Sequence, residues 1–124
     1  MRDIRILIAE DHEYMRGQLI RLLDIEFRVV DAVADGRSLV SAAIALKPDV
    51  IVSDVCMPVL SGPQAMEELS ARGREIPFVF ISSDPDSIRR CPGFFVYKID
   101  LYSQLVPAVH AASRIHKPSG NNGR

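Results

Sequence analysis

The chain has 124 residues, with Lys+Arg 15 against Asp+Glu 16 and a formal net charge of −1, a balance that predicts one globular domain of average composition. The near-neutral charge argues against nucleic-acid binding through a general basic surface, and two cysteines, Cys56 and Cys91, are too few for a disulfide scaffold. No apolar run approaches the roughly 18 residues of a membrane span, and the opening MRDIRILIAEDHE puts acids directly after its apolar run, unlike a secretory signal, so a cytoplasmic protein is expected.

In chain order, five short apolar runs predict strands: Ile4–Ala9, Phe27–Val33, Asp49–Ser53, Pro77–Ile81 and Phe94–Tyr97. All but the second are nearly continuous in apolar character, as parallel strands covered on both faces should be. Between them, apolar residues recur at steps of three and four. Met15, Leu19, Leu22 and Leu23 share one face of a first helix, and Leu39, Val40, Ala43, Ile44 and Leu46 mark a second. Met66 and Leu69 mark a third, opened by Gly62 and Pro63 and closed near Gly73. The fourth has only Asp84 to Cys91 available before Pro92 and Gly93, two turns at most. Leu101, Leu105, Ala108 and Ala112 mark the last, with Asp100 or Ser103 as its expected N-cap. Pro107 conflicts with that helix unless the helix starts late or kinks.

Strands alternating with single helices predict right-handed βαβ units around one parallel sheet. The expected fold is α/β: a flavodoxin-like (βα)5 three-layer sandwich with sheet order 2-1-3-4-5 and a shortened fourth helix. The domain is read as residues 1–116. Residues 117–124 have the composition of a flexible tail or the start of a linker.

Ligands of such sheets sit beyond the carboxyl ends of the strands. There strand one ends at Glu10 and Asp11, strand three at Asp54, strand four at Ser82 and strand five at Lys98. Strand two ends at Ala34 and Asp35, which read as an ordinary turn. Singly, each group has a plain explanation as a cap or a solvated turn residue. Jointly, three carboxylates, a hydroxyl and an ammonium converge on one rim. Carboxylates that close repel unless a cation joins them, and hard oxygen ligands favour Mg²⁺ (or Mn²⁺) over a soft metal. A site with such an ion, an ammonium and a hydroxyl suits a phosphoryl group, and the central Asp54 is the expected nucleophile.

The segment from Asp54 through Met57 and Pro58 to Gly62 matches a D-x-x-M-P-x-x-x-G pattern. With it, residues 4 to about 115 resemble a response-regulator receiver domain of two-component signalling. The opening IRILIAEDHEYMRGQLIRLL is similar to receivers that precede a LuxR-type helix-turn-helix. The resemblance implies that Asp54 takes a phosphoryl group from a histidine kinase or phosphotransfer protein. It implies that Asp11, Asp54 and the backbone carbonyl of Cys56 ligate Mg²⁺, with Glu10 acting through a metal-bound water. Lys98 would pair with the phosphoryl oxygens, Ser82 would swing toward them, and Phe95 would turn inward as the loop moves. Such a domain is a switch rather than an enzyme, and would not itself bind DNA or a membrane.

Three departures from the family pattern shape the expectations. Ile99 stands where the family has Pro after its lysine, often cis, so the Lys98–Ile99 bond is expected to be trans. Ser82 to Lys98 spans 16 positions, several fewer than usual, on the face where the family dimerises and meets outputs. Cys56 and Asp84 fall where residues flank the phosphoryl group and tune its lifetime. The rival expectation is a degenerate receiver acting as an unphosphorylated binding module. A Rossmann domain lacks its glycine-rich turn here. A haloacid-dehalogenase-type phosphatase would need an acid where Cys56 stands. Zinc binding by His12, His110, His116, Cys56 and Cys91 lacks ligand spacing.

Overall fold

The computed structural model describes residues 3–115. The chain-order alternation expected above is present. Strands β1 (Arg5–Ala9), β2 (Arg28–Val33), β3 (Val50–Asp54), β4 (Phe78–Ser82) and β5 (Phe94–Tyr97) form one parallel sheet in the order β2-β1-β3-β4-β5. Helices α1 (Glu13–Leu23), α2 (Gly36–Leu46), α3 (Gly62–Ala71) and α4 (Leu101–Ile115) cover it. The end of the domain at residue 116 and the tail from Lys117 lie outside the described residues. None of the described helices is long and apolar enough to cross a membrane.

Alternation along the strands sorts the core into two layers. Ile6 and Ile8 of β1, with Val50 and Val52 of β3, meet Leu19 and Leu23 of α1 and Leu105 and Val109 of α4. The intervening Leu7, Ala9 and Ile51 turn to the opposite face and meet Leu39 and Val40 of α2 and Ala65 and Leu69 of α3. Burying one Leu or Ile side chain is worth about 1.5–3 kcal/mol, so these two seams supply the main driving force for the sandwich. Strands β3 and β4 are buried along their whole length, whereas β2, at the sheet edge, is buried nowhere along its length. That difference explains why the second run alone lacks continuous apolar character.

The shortened fourth helix expected from the sequence is present as a six-residue 3-10 helix, Pro85–Arg90. Other local expectations are corrected. The last helix neither starts late nor has Ser103 as its cap. A 3-10 turn, Lys98–Asp100, leads directly into α4, and the Ser103 hydroxyl donates to the Asp100 carbonyl from inside the helix. Pro107 therefore lies within α4, where it removes one i→i−4 bond, and the buried Leu101, Leu105, Val109 and Ala112 outweigh that loss. At α1 the N-cap is His12, whose Nδ1 accepts from the Met15 N–H at 3.4 Å. Asp35, read as a turn residue, caps α2 by accepting from Ser38 N–H at 2.7 Å.

Candidate functional site

The parallel register sets the ends of the inner strands side by side. Ala9 pairs with Ser53, Asp54 with Ile81, and Ser82 with Tyr97, so Glu10, Asp54, Ser82 and Lys98 emerge on one rim. Oxygen atoms of Glu10, Asp11 and Asp54 lie within 4.8 Å of one another. Glu10 is fully buried, Asp54 nearly so at 8% exposure, and Asp11 is exposed. The Lys98 ammonium joins them, donating to Asp54 Oδ2 at 3.1 Å and pairing with Glu10 Oε1 at 3.2 Å.

Backbone contacts hold Glu10 and Asp54 in place. The Glu10 N–H donates to the Val33 carbonyl, and its own carbonyl accepts from the Arg16 guanidinium, both at 2.9 Å. Glu10 Oε2 accepts from His12 N–H at 3.1 Å. Its Oε1, although beside the ammonium, is not aligned for a hydrogen bond. Asp54 ends β3 where the following Val55 N–H bonds the Ile81 carbonyl of the next strand at 3.1 Å. The Ser53 hydroxyl donates to the Asp54 carbonyl at 2.8 Å. Gly62 is needed beside it, because a Cβ there would meet that carbonyl oxygen at 2.4 Å. Between them the loop turns tightly. Leu60 N–H donates to the Pro58 carbonyl at 2.7 Å across Val59, which takes a φ of 72°. A γ-turn of this hand is strained for a β-branched residue. The turn brings Leu60 onto Gly36 of α2, where a Cβ would meet the Leu60 carbonyl oxygen at 2.0 Å.

Burial raises the Glu10 carboxyl above its usual range, and the Asp54 charge adds to it. The His12 N–H and the Lys98 ammonium oppose the rise without cancelling it. Burial pulls the Lys98 ammonium down, but Asp54 and then Glu10 outweigh it, so its pKa ends above the usual lysine value. Two of the three carboxylates, Glu10 and Asp54, thus share one ammonium, and one buried oxygen has no hydrogen bond. A hard divalent cation fits that donor set. Glu10, Asp11 and Asp54 are the side chains that would hold it, directly or through water, and its charge would offset the repulsion that now falls on Glu10.

The peptide after Lys98 is trans, since no cis bond occurs among the described residues, and the ammonium still reaches Asp54. Not every expected residue joins the cluster. Ser82 is buried, but its hydroxyl pairs with Ser87 Oγ at 3.2 Å and accepts from Asp84 N–H at 3.0 Å rather than bonding Asp54. Asp84 is exposed and its carboxylate accepts from Asp86 N–H, which caps the 3-10 helix. The Cys56 side chain is exposed. Phe95 is half-buried against the α2/α3 layer with its ring edge-on to Tyr97, 4.9 Å between centroids. Sequence reasoning missed Ser87, Arg16 and Ser53. Only their tertiary partners distinguish them from ordinary polar residues.

Comparison with known proteins agrees with this geometry. The sequence profile of the response regulator receiver domain matches residues 6–91. Over 82 residues the chain is 37% identical to a protein-glutamate methylesterase/protein-glutamine glutaminase of Vibrio parahaemolyticus, covering 64% of this chain and 22% of that protein. Over 72 residues it is 40% identical to YvfU of Bacillus subtilis, an uncharacterized transcriptional regulatory protein, covering 56% and 36%. The chain therefore spans well under half the length of these relatives. Among solved structures, the signal receiver domain of NarL from Mycobacterium tuberculosis superimposes with a TM-score of 0.84 at 22% identity, covering 94% of this chain and all of that one. The response regulator domain of CheB from Thermotoga maritima gives 0.81 at 25% identity, with the same coverage. With an acid cluster and a lysine at the carboxyl edge of a 2-1-3-4-5 sheet, and a profile match over most of its length, the chain belongs to the response regulator receiver domain family.

Proposed function

We propose that this domain is a phosphoacceptor switch in which Asp54 receives a phosphoryl group from a histidine kinase or phosphotransfer protein. The observation that carries the proposal is the ammonium of Lys98 set between Asp54 and Glu10, with Asp11 completing the acid cluster. An Asp54 carboxylate oxygen attacks the phosphorus of a phosphohistidine. With the other ring nitrogen of the phosphohistidine already protonated, the new O–P bond forms as the P–N bond breaks and the nitrogen keeps that electron pair, so the leaving group departs as neutral imidazole and Asp54 becomes an acyl phosphate. Buried at the strand end, Asp54 presents its carboxylate from a rigid support, which holds the nucleophile in line. Lys98 neutralises charge as the phosphoryl group arrives. A bound Mg²⁺ or Mn²⁺, held by Asp11, Asp54, the Cys56 carbonyl and Glu10 through water, would supply further charge neutralisation at the phosphoryl oxygens.

The Ser82 hydroxyl then turns from the 3-10 helix to the phosphoryl group, and Phe95 follows the moving loop inward. Cys56 and Asp84 flank the modified residue and set how long the acyl phosphate survives. The domain acts as a regulatory acceptor rather than an enzyme. It works in the cytoplasm, without contact to nucleic acid or membrane of its own, as a monomer or homodimer, and controls an output carried elsewhere. The added dianion biases an existing two-state equilibrium through the Ser82 and Lys98 contacts.

Intact mass after incubation with acetyl phosphate and Mg²⁺ tests the reading. One Mg²⁺-dependent phosphoryl adduct is expected on the parent protein and none on Asp54→Asn. Absence of both the adduct and Mg²⁺ binding would sink the switch reading and favour the rival, an unphosphorylated binding module of the same fold.

A further inference from the structure

The Ser82 hydroxyl is paired with another hydroxyl, the Oγ of Ser87, 3.2 Å away in the 3-10 helix that replaces the fourth α-helix. The Ser82 oxygen in turn accepts from Asp84 N–H at 3.0 Å. Ser87 is itself fully buried and fixed at both ends of its backbone. Its N–H donates to the Asp84 carbonyl at 3.1 Å, and its carbonyl accepts from the Cys91 thiol at 3.2 Å.

From this we infer that Ser87 is a positioning residue, a latch that keeps the Ser82 hydroxyl paired within the loop after β4 and sets the threshold for switching. The inference rests on the phosphoacceptor reading above. Both partners of Ser82 are lost when its hydroxyl turns to a phosphoryl group, but the two losses are unequal. Asp84 is exposed, so its N–H rebonds to water. Ser87 is at 0% exposure, so its oxygen is left without the partner it had. An orphaned buried hydroxyl costs more than a typical hydrogen bond contributes, and that asymmetry makes Ser87 the main brake. The short crossover is what puts it there. Only two residues separate Asp84 from Ser87, and the 3-10 turn folds Ser87 back beneath the end of β4.

Removing the Ser87 hydroxyl should therefore favour the switched state. Calorimetric titration with beryllofluoride, a phosphoryl mimic, in the presence of Mg²⁺ reads this directly. Ser87→Ala should bind the mimic on the order of tenfold more tightly than the parent, with the affinity for Mg²⁺ alone unchanged. In a Ser82→Ala background the same substitution should have no effect, because no hydroxyl remains to be latched. Ser87→Cys keeps the volume with a weaker hydrogen-bonding group, and should fall between parent and Ser87→Ala. It also provides the reading if the alanine variant fails to fold. Unchanged or weaker binding by Ser87→Ala would overturn the latch. So would an equal gain in both backgrounds, which would mean a general loosening of the loop. If the parent fails to bind the mimic, the phosphoacceptor reading itself is wrong and the latch goes with it.

Discussion

At the carboxyl end of β3 the chain is built so that nothing can shift. One strand away, past the end of β4, it is held by a few small polar contacts. The β3 end carries Asp54 and is followed by a γ-turn, a glycine packed against a carbonyl, and a helix cap in which Ser61 and Gln64 bond each other's backbone N–H groups. Past β4, two serine hydroxyls, the Asp84 carboxylate and the Cys91 thiol secure a six-residue 3-10 helix. The difference teaches how one domain can hold one strand end rigidly and the next through a few polar contacts. On the proposed reading, rigid packing would position Asp54, while the loop after β4, held by exchangeable hydrogen bonds, would be the part that rearranges.

The comparison is most easily broken at Gly62. Replacing it with alanine drives a Cβ into the Asp54 carbonyl and the Ser53 hydroxyl, and should cost about 4 kcal/mol or prevent folding. Chemical denaturation of Gly62→Ala checks this, and a loss below about 1 kcal/mol would mean the β3 end is softer than its packing implies.

Lys98→Met should come next. It leaves Glu10 and Asp54 without their counter-charge, at about 2 kcal/mol in metal-free protein at pH 8. The loss should shrink as pH falls and Glu10 takes up a proton. The sign follows from the native shifts. The folded Glu10 pKa is raised above 4.5, so between 4.5 and that raised value the native state holds more protons than the unfolded state. Stability of the metal-free parent should therefore fall as pH rises through that window, and saturating Mg²⁺ should flatten the slope. Lys98, raised above 10.5, contributes stability that is present below that pH and is lost as pH climbs through its folded value. Denaturation midpoints from pH 4 to 11, with and without Mg²⁺, test both signs.

Ser61→Ala removes one half of the α3 capping box and should cost about 1 kcal/mol by the same measurement. The smallest effect belongs to the other region. Asp84→Ala deletes the exposed bond to Asp86 N–H and should change global stability by less than about 0.5 kcal/mol. Its effect should appear instead as faster amide exchange confined to residues 84–87. A global loss as large as that of Ser61→Ala would erase the contrast between the two ends.

Much of this was legible in the sequence because strand ends are marked chemically. Apolar runs stop abruptly at Glu10, Asp54, Ser82 and Lys98, and a parallel sheet brings such ends together. The glycine of the D-x-x-M-P-x-x-x-G segment was legible as a helix opener but not as the residue that lets α3 approach the Asp54 carbonyl. Pro107 illustrates the reverse. Local preference argues for a late helix start, yet four buried residues on one face of α4 keep the helix intact through it. His12 as a cap was equally hidden, because histidine is an uncommon choice and only the extended backbone at His12 itself makes its ring available.

By itself the sequence determined the layered α/β fold and the polar groups that end each strand, which follow from apolar periodicity and are local along the chain. The strand order was expected from the flavodoxin-like class rather than from any local pattern, and with that order the acid and lysine groups fall on one rim. Only the tertiary structure decided how charge is shared within the cluster, which groups the Ser82 hydroxyl bonds, and that Ser87 lies buried beneath it. The physical reason is that burial and hydrogen-bond direction depend on neighbours distant in sequence or on the path of an irregular loop. A polar residue in a short segment carries no mark of either until the chain has packed around it.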